Sequence, residues 1–599
     1  MMVGIAIETT AERGRSMHRL IAGPTRSTAA LRPFGRLTVA RLAAVALTAA
    51  TLLAACSGAD QLQAPPRQMV AAANPLAAEA GMAMLRQGGS AVDAAIATAL
   101  VLGLVEPQSS GLGGGAFLLH YDAASRAVAA YDGRETAPRT ADETLFLEAD
   151  GTPMSFWDAV IGGRSVGAPG LLRMLELAHR DHGRLPWAAL LQPAIRLAEQ
   201  GFAVSPRLHG LIAEDEYLKR YPATAAYFHD DAGNPLPIGH LLKNQAYADT
   251  LEAVAAGGAD AFYKGPMAMD IVAAVRSATD NRGLLSYTDL RNYEAKRREP
   301  LCLPYRAWIV CGMPPPTSGG VAVLQILKLL EPFDLAALQP ASPEAIHLVA
   351  EASRLAFADR DRFLADSDFV AVPLDELLDP AYLAARSRLI DPAASMGEAS
   401  PGLASQQALT PKQPDPPSTS HLSVVDAEGN AVSMTASIEG AFGSHLMARG
   451  FLLNNELTDF SFRPSVDGRA VANRVEPGKR PRSSMSPTLV LDRDGRFVMA
   501  IGSPGGSRII GYTTKAIIAA LDWNLSLQDA VALPNFVNRN GATDLEAGSA
   551  LEAAKPALEA LGHKVNLIGM TSGLHGIRAT GAGLEGGADP RREGVVLAD

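Results

Sequence analysis

At residues 411 to 426 the chain reads PKQPDPPSTSHLSVVD, with four prolines in seven residues running straight into an alternating segment that opens at Thr419. Proline lacks an N–H and fixes its φ, so this stretch continues neither a helix nor the middle of a sheet. The chain must change character here. Upstream, from about residue 390, Pro, Ser, Ala and Gln dominate, as in a loop or linker. Downstream, Thr419 to Val425, a turn at residues 426 to 430 and the run AVSMTAS read as one hairpin, and residues 486 to 502 as another. A mostly helical first part and a strand-rich last third, in a 599-residue chain that is 48% apolar, can share one large core. The predicted class is α/β (α+β), with layers in the order αββα.

Within the first part, ANPLAAEAGMAMLRQGGSAVDAAIATALVLGLVEP reads as two packed helices parted by Gly88 and Gly89. Ser90 and Asp93 have the spacing of a capping box, and Pro107 closes the second helix, which is apolar nearly all round and therefore predicted to be buried. Gly111, Gly113 and Ala116 match GxGxxA, but a helix precedes them and the strand AFLLHYD follows, the reverse of a dinucleotide fold. A glycine loop packed tightly on neighbouring backbone is expected instead. Residues 165 to 300 are mostly helical in pattern, and MPPPTSGG at 313 to 320 forms a rigid turn before another helix. His179 and His182 lack a Cys or acidic partner in a metal-binding pattern and read as solvated residues at a helix end. No metal or organic cofactor is indicated.

The net charge of −10 excludes general nucleic-acid affinity, which needs a basic surface to displace counterions. Residues 1 to 42 carry many Arg, and Leu42 to Ala55 form an apolar run too short for a membrane span of about 20 residues. Its end, Leu53-Ala54-Ala55-Cys56, resembles the lipobox of bacterial lipoproteins. Residues 1–55 are thus expected to be an export signal, with Met17 as an alternative start, Cys56 a lipidated first residue and 56–70 a tether. A plain signal peptide with a coincidental Cys is the alternative. The other two cysteines, Cys302 and Cys311, face each other if Arg306 and Ala307 form a two-residue turn. An oxidising compartment favours a bridge, and opposed hairpin positions leave its formation open.

A flexible proline loop leading into Thr419 is what a chain needs if the bond before that threonine is to be cut. An N-terminal threonine supplies a nucleophile, Oγ1, and a base, the α-amine, whose ordinary pKa is about 7.7 to 8.0. Alone, Thr419 is more simply a β-branched residue starting a strand. Its surroundings weigh against that. TSHLSVVDAEGNAVSMT, GFLLNNELTDFS, KRPRSSMSPTLVL, GSPGGSRI and GGADPRREG resemble, in order, the small subunit of the gamma-glutamyltranspeptidase family. NPLAAEAG, GGSAVDAAIATALVLGLVEP, SSGLGGGAF, DGRETAP, GAPGLL and PPPTSGG resemble its large-subunit landmarks, and coverage runs from about Ala71 to Arg592.

The resemblance implies a four-layer N-terminal nucleophile hydrolase. Its precursor would cut itself at Ser418-Thr419 into a large subunit, 71–418 with the tether before it, and a small subunit, 419–599, that stay together as a heterodimer. Thr419 would attack the γ-amide of glutathione or a related compound, and water or an amine would resolve the γ-glutamyl ester. Ser437 would hydrogen-bond the nucleophile, and Gly505 and Gly506 would form the oxyanion hole, where backbone must come close to the reacting carbonyl. Arg134 would hold the substrate carboxylate with Ser483 and Ser484, and Asp459 the ammonium, with Glu456 beside it. Two departures stand out. Glu439 replaces an Asn common in the family, and residues 461 to 482 look short for a lid over the site. The implied setting is the bacterial periplasm, with the lipid as membrane anchor. Two other functions remain: a glutaryl or cephalosporin-type acylase of the same fold, which Asp459 opposes because a glutaryl group lacks an ammonium, and a noncatalytic envelope-binding lipoprotein.

Overall fold

The structure, a computed structural model, describes residues 66–279, 281–416 and 418–599; the export signal and Cys56 lie outside the described residues. Two large sheets form its centre. Their strands, in chain order, are β1 (Met69–Ala72), β2 (Gly115–Tyr121), β3 (Val128–Gly133), β4 (Lys296–Arg298), β5 (Leu301–Tyr305), β6 (Trp308–Gly312), β7 (Ser420–Val425), β8 (Ala431–Ser437), β9 (Thr488–Asp492), β10 (Phe497–Gly502), β11 (His575–Thr580), β12 (Gly583–Ala588) and β13 (Val595–Ala598). The first sheet runs β13-β1-β7-β8-β2-β3-β4 and the second β12-β11-β10-β9-β6-β5. Neighbours in both are antiparallel.

Alternation along the strands builds four layers. On β2, Leu118 joins an apolar cluster with the helices α1 (Pro75–Arg86), α2 (Ala91–Val105) and α3 (Leu171–His182), while Phe117 and Leu119 join a cluster between the sheets. On β9, Leu489 and Leu491 face that same inner cluster, whereas Val490 faces α4 (Gly319–Leu330), α5 (Pro343–Phe363) and α6 (Ile509–Leu521). The order is αββα, as predicted, because strands buried on both faces have a period of two and each face needs its own partner layer. All of β2 is therefore buried despite its alternation.

Local signals act as expected. Every residue of α2 is buried, and the reciprocal box is closed by Asp93 N–H on Ser90 Oγ at 3.1 Å and Ser90 N–H on Asp93 Oδ2 at 2.9 Å. The glycine loop before β2 packs on backbone: a Cβ on Gly113 would lie 2.0 Å from the Leu452 carbonyl oxygen, and one on Gly114 2.0 Å from that of Ser437. That contact fixes the end of β8, where Ser437 sits. Cys302 and Cys311 are register partners in the β5–β6 hairpin and form a disulfide.

Three expectations need correction. Met69 and Val70, placed in the tether, are buried in β1 between β7 and β13; a four-residue strand is too short to show alternation. The strand expected at Thr419 starts at Ser420, because Thr419 has φ +88°. His179 and His182 do lie at the end of α3, but neither is fully solvated. His182 stacks on His120 with ring centroids 3.7 Å apart and shares a 2.7 Å hydrogen bond with the Tyr131 hydroxyl.

Candidate active site

Thr419 stands at the head of β7, in the interior of the first sheet, and is 4% exposed. Its Oγ1 lies 3.0 Å from Ser437 Oγ on the neighbouring strand β8. Ser437 Oγ also accepts the Glu439 N–H at 2.8 Å, which leaves its own proton free for Thr419. On the other side, Gly505 N–H donates to the Ser418 carbonyl oxygen at 3.1 Å. That donor is aimed at the carbonyl of the bond expected to be cut. The turn carrying it requires φ +131° at Gly505 and +59° at Gly506, and a Cβ on Gly505 would lie 2.7 Å from the Tyr512 ring. Thr419's own φ is costly for a β-branched residue, and it is held by Arg592 donating to the Thr419 carbonyl at 2.9 Å and by Ser418 Oγ donating to the Gln108 carbonyl at 2.9 Å.

Beside the threonine is a cavity of about 30 Å³ lined by Ser437, Glu439, Glu456, Asp459, Ser483, Ser484 and Gly506, with Asp415 and Ser507 completing the wall. Arg134 lies behind it, fully buried, and donates to Glu456 Oε1, Asp459 Oδ2 and the carbonyls of Pro481 and Arg482. The expected carboxylate-holding and ammonium-holding groups are thus paired with each other. Glu456 Oε2 and Glu439 Oε2 are buried without a partner. Burial, helped by Asp459 and opposed by Arg134, pushes the Glu456 carboxyl up to about 7. Burial together with Asp459 and Glu456 drives Glu439 well above the usual carboxylate range. Asp459 is raised by burial, against the pull of Arg134. The arrangement stores an excess of acid around one guanidinium.

Several neighbours were not singled out from sequence. Glu135, buried 3.7 Å from Arg134, adds to the acid cluster. Arg360 Nη2 donates to Ser484 Oγ at 2.8 Å, so Ser484 keeps a proton to donate. Ser507 and Arg539 hold Asp415. Arg592 and Asp415 lie in motifs noted above, but nothing in the sequence pointed to Arg539 or Arg360. Outside the lining of this pocket, His347, Glu351 and His563 cluster in the core; the histidines bond each other at 2.7 Å, and His347 Nε2 and His563 Nδ1 meet the Asp391 carbonyl and Thr543 Oγ1.

An αββα sandwich that presents a threonine at the head of an interior strand, with a peptide N–H on the preceding carbonyl, has the architecture of the N-terminal nucleophile hydrolases. The family model described as Gamma-glutamyltranspeptidase matches residues 77–599. The glutathione hydrolase proenzyme of Bacillus subtilis is 36% identical over 509 residues, 83% of this chain and 85% of its own length. The acylase ACY 1 proenzyme of Pseudomonas sp. strain SE83 is 37% identical over 511 residues, 83% and 87% of the two chains. The cephalosporin acylase structure from Bacillus halodurans superposes with a TM-score of 0.76 at 28% identity, covering 89% of this chain and 96% of that one. The chain belongs to the gamma-glutamyltranspeptidase family.

Proposed function

We propose that this protein is a self-processing γ-glutamyl hydrolase and transpeptidase whose nucleophile is Thr419. In the uncut chain Thr419 Oγ1 attacks the Ser418 carbonyl carbon while Gly505 N–H takes the developing charge on the oxygen. The hydroxyl proton ends on the departing nitrogen, and the resulting ester is hydrolysed to a Ser418 carboxylate and a free Thr419 amine. That amine then serves as the base for Oγ1 when a γ-glutamyl amide enters. The ester formed with the γ-glutamyl group is released by water or by an amino-acid amine.

The observation that carries the donor assignment is the pair of unpartnered oxygens, Glu439 Oε2 and Glu456 Oε2. Burial holds these carboxyls towards their neutral form until a cation arrives to pair with the ionised one, and a γ-glutamyl group brings an ammonium while a glutaryl group brings none. Asp459 alone no longer decides this, since Arg134 already satisfies it. A zwitterionic donor suits the site because it exchanges with the internal pairs: its ammonium meets the acids as its carboxylate takes Arg134 and the Ser483 and Ser484 hydroxyls. The first test compares intact masses of the mature protein and of Thr419→Ala. Two chains in the former, one beginning at Thr419, and one in the latter are expected. Turnover of a glutaryl anilide equal to or faster than that of the γ-glutamyl anilide would overturn the donor assignment.

Export and anchoring follow the same reading: residues 1–55 as a removed leader and Cys56 as the lipidated residue facing the periplasm. No described helix is long and apolar enough to cross a membrane. Cys56→Ala should move the protein from the detergent phase to the aqueous phase on partitioning, and an unchanged distribution would remove the anchor.

A further inference from the structure

Asp415 belongs to the proline linker, four residues before the bond expected to be cut. Its Oδ2 accepts the Ser507 N–H at 2.8 Å and Arg539 Nη1 at 3.1 Å, and Ser507 Oγ donates to it as well. Arg539 Nη1 also reaches Ser507 Oγ at 2.8 Å, so the two residues form one preset carboxylate cradle. A Cβ on Gly506 would lie 2.2 Å from Asp415 Oδ1, which places this carboxylate directly against the expected oxyanion hole. Beyond it opens a cleft of about 270 Å³ lined by Arg360, Lys412, Arg482 and Arg539, with Asp361 and Asp544 among them. Asp415, Asp459, Ser484 and Ser507 line both this cleft and the cavity beside Thr419.

Occupancy argues for a use of this cradle beyond the precursor. The cavity at Thr419, about 30 Å³, has room for no more than a few waters and is too small for an acyl donor while Asp415 is part of its wall. The linker must therefore withdraw before any substrate reaches Thr419, and cutting at Ser418 frees it from the strand that anchors it. Asp415 leaves with it. Arg539 would then keep its 2.8 Å bond to Ser507 Oγ and, of the carboxylates, only Asp544 at 3.8 Å, and Ser507 would present an N–H and a hydroxyl to the cleft. Arg539 is held in this position from the strand-flanked segment after Asn538, so the donors stay where the carboxylate was.

We infer that Arg539 and Ser507 form a carboxylate subsite on the leaving-group side of Thr419, occupied in the precursor by Asp415 and in the processed enzyme by the carboxylate of the amino acid or dipeptide that departs from, or attacks, the acyl-threonine. It is separate from the Arg134 position, which serves the acyl half of the donor. A residue spans at most about 3.6 Å, so a dipeptide leaving from the carbonyl beside Gly506 reaches a carboxylate cradle that touches Gly506 and opens into the cleft. A planar guanidinium with an adjacent peptide N–H suits such a group. This inference rests on the γ-glutamyl reading for the chemistry but not for the binding.

The binding test uses processed enzyme and calorimetry with glycylglycine and glycylglycinamide, which differ at the C-terminus in charge. Wild type should bind the acid at least tenfold more tightly than the amide, Arg539→Ala should lose that preference, and Arg539→Lys should keep part of it. In parallel, kcat/KM for a γ-glutamyl nitroanilide bearing a ring carboxylate, relative to the plain nitroanilide, should fall about tenfold in Arg539→Ala. If Arg539→Ala does not process, Ser507→Ala carries the same comparison. Equal binding of acid and amide by wild type, or an undiminished preference in the processed variants, overturns the subsite. Selective dipeptide binding without turnover of either anilide would instead overturn the γ-glutamyl donor assignment and leave the subsite standing.

Discussion

Ser437→Ala tests the contact proposed to activate Thr419 for self-cleavage. Two hydrogen bonds go, the 3.0 Å contact to Thr419 Oγ1 and the 2.8 Å bond from Glu439 N–H. They act on different quantities. The Glu439 bond is the same before and during attack, so its loss costs stability, about 1 to 2 kcal/mol for a buried donor left without an acceptor. The Thr419 contact strengthens as charge develops on Oγ1, from about 1 kcal/mol for a neutral pair to about 2 to 3 kcal/mol for a charged one. Only that difference, about 1 to 2 kcal/mol, enters the barrier. Cleavage should slow about 5- to 30-fold. The assay is the first-order appearance of the two chains by intact mass, starting from freshly folded precursor, with Ser437→Thr as a control that should cut at close to the wild-type rate. Circular dichroism would confirm that the slow precursor is folded. A Ser437→Ala rate within twofold of wild type would show that the neighbouring hydroxyl takes no part in activating Thr419.

Gly505→Ala should cut at least a hundredfold more slowly, since φ +131° and the Tyr512 ring leave no room for a methyl and the N–H on the Ser418 carbonyl would shift; normal processing by intact mass would remove that N–H from the mechanism. With the Glu456 carboxyl near 7, KM for a γ-glutamyl donor should rise about tenfold from pH 8 to pH 6 as that group gains a proton and ceases to attract the ammonium. A flat KM profile would free Glu456 of that role. Because the folded-state value of Glu439 is raised, its stability cost is absent below the ordinary carboxylate pKa and grows as pH climbs towards the raised one. Glu439→Gln should therefore melt higher than wild type at pH 8, with a gap that shrinks at pH 5, while its donor KM rises; a melting gap independent of pH would refute the assignment. Cys302→Ser opens a bridge between residues nine apart and should cost about 2 to 3 kcal/mol of stability without changing kcat, read by thermal melting of the processed enzyme.

The layers were legible because they follow from periodicity: two-residue alternation in the strands and an all-apolar α2 leave few ways to bury both. Capping at Ser90 and the facing cysteines were local signals, and local signals survive folding. The site was legible in part. Thr419, Ser437, Glu439, Glu456, Asp459, Ser483, Ser484 and Gly506 come together around one cavity, although they span many loops. Sequence could not show that Arg134 is already engaged by Glu456 and Asp459, since that depends on which groups share a dry space. Arg539 and Arg360 escaped notice for the same reason: each is one arginine among many until the fold sets it beside Ser507 or Ser484. Thr419's positive φ was also invisible, being held by Arg592 on the Thr419 carbonyl and by the Gln108 carbonyl that takes the Ser418 hydroxyl.

The strand order has a consequence for the life of the molecule after the cut. In the first sheet β1 is flanked by β7 and β13, and β8 is flanked by β7 and β2; in the second, β9 pairs with β6. Segments from before and after Thr419 are thus laced through both sheets, so breaking one peptide bond releases the linker's end but no strand, and the pieces hold as a single cooperative body. What changes is the way back. The uncut chain folds as one molecule, its pairing partners held at high effective concentration by the covalent link. Once cut and then unfolded, the same pieces must find each other in solution, and recovery becomes dilution-dependent. The linker thus serves as a disposable assembly jig, and the cut enzyme is an object that lasts by unfolding slowly rather than by being able to rebuild itself.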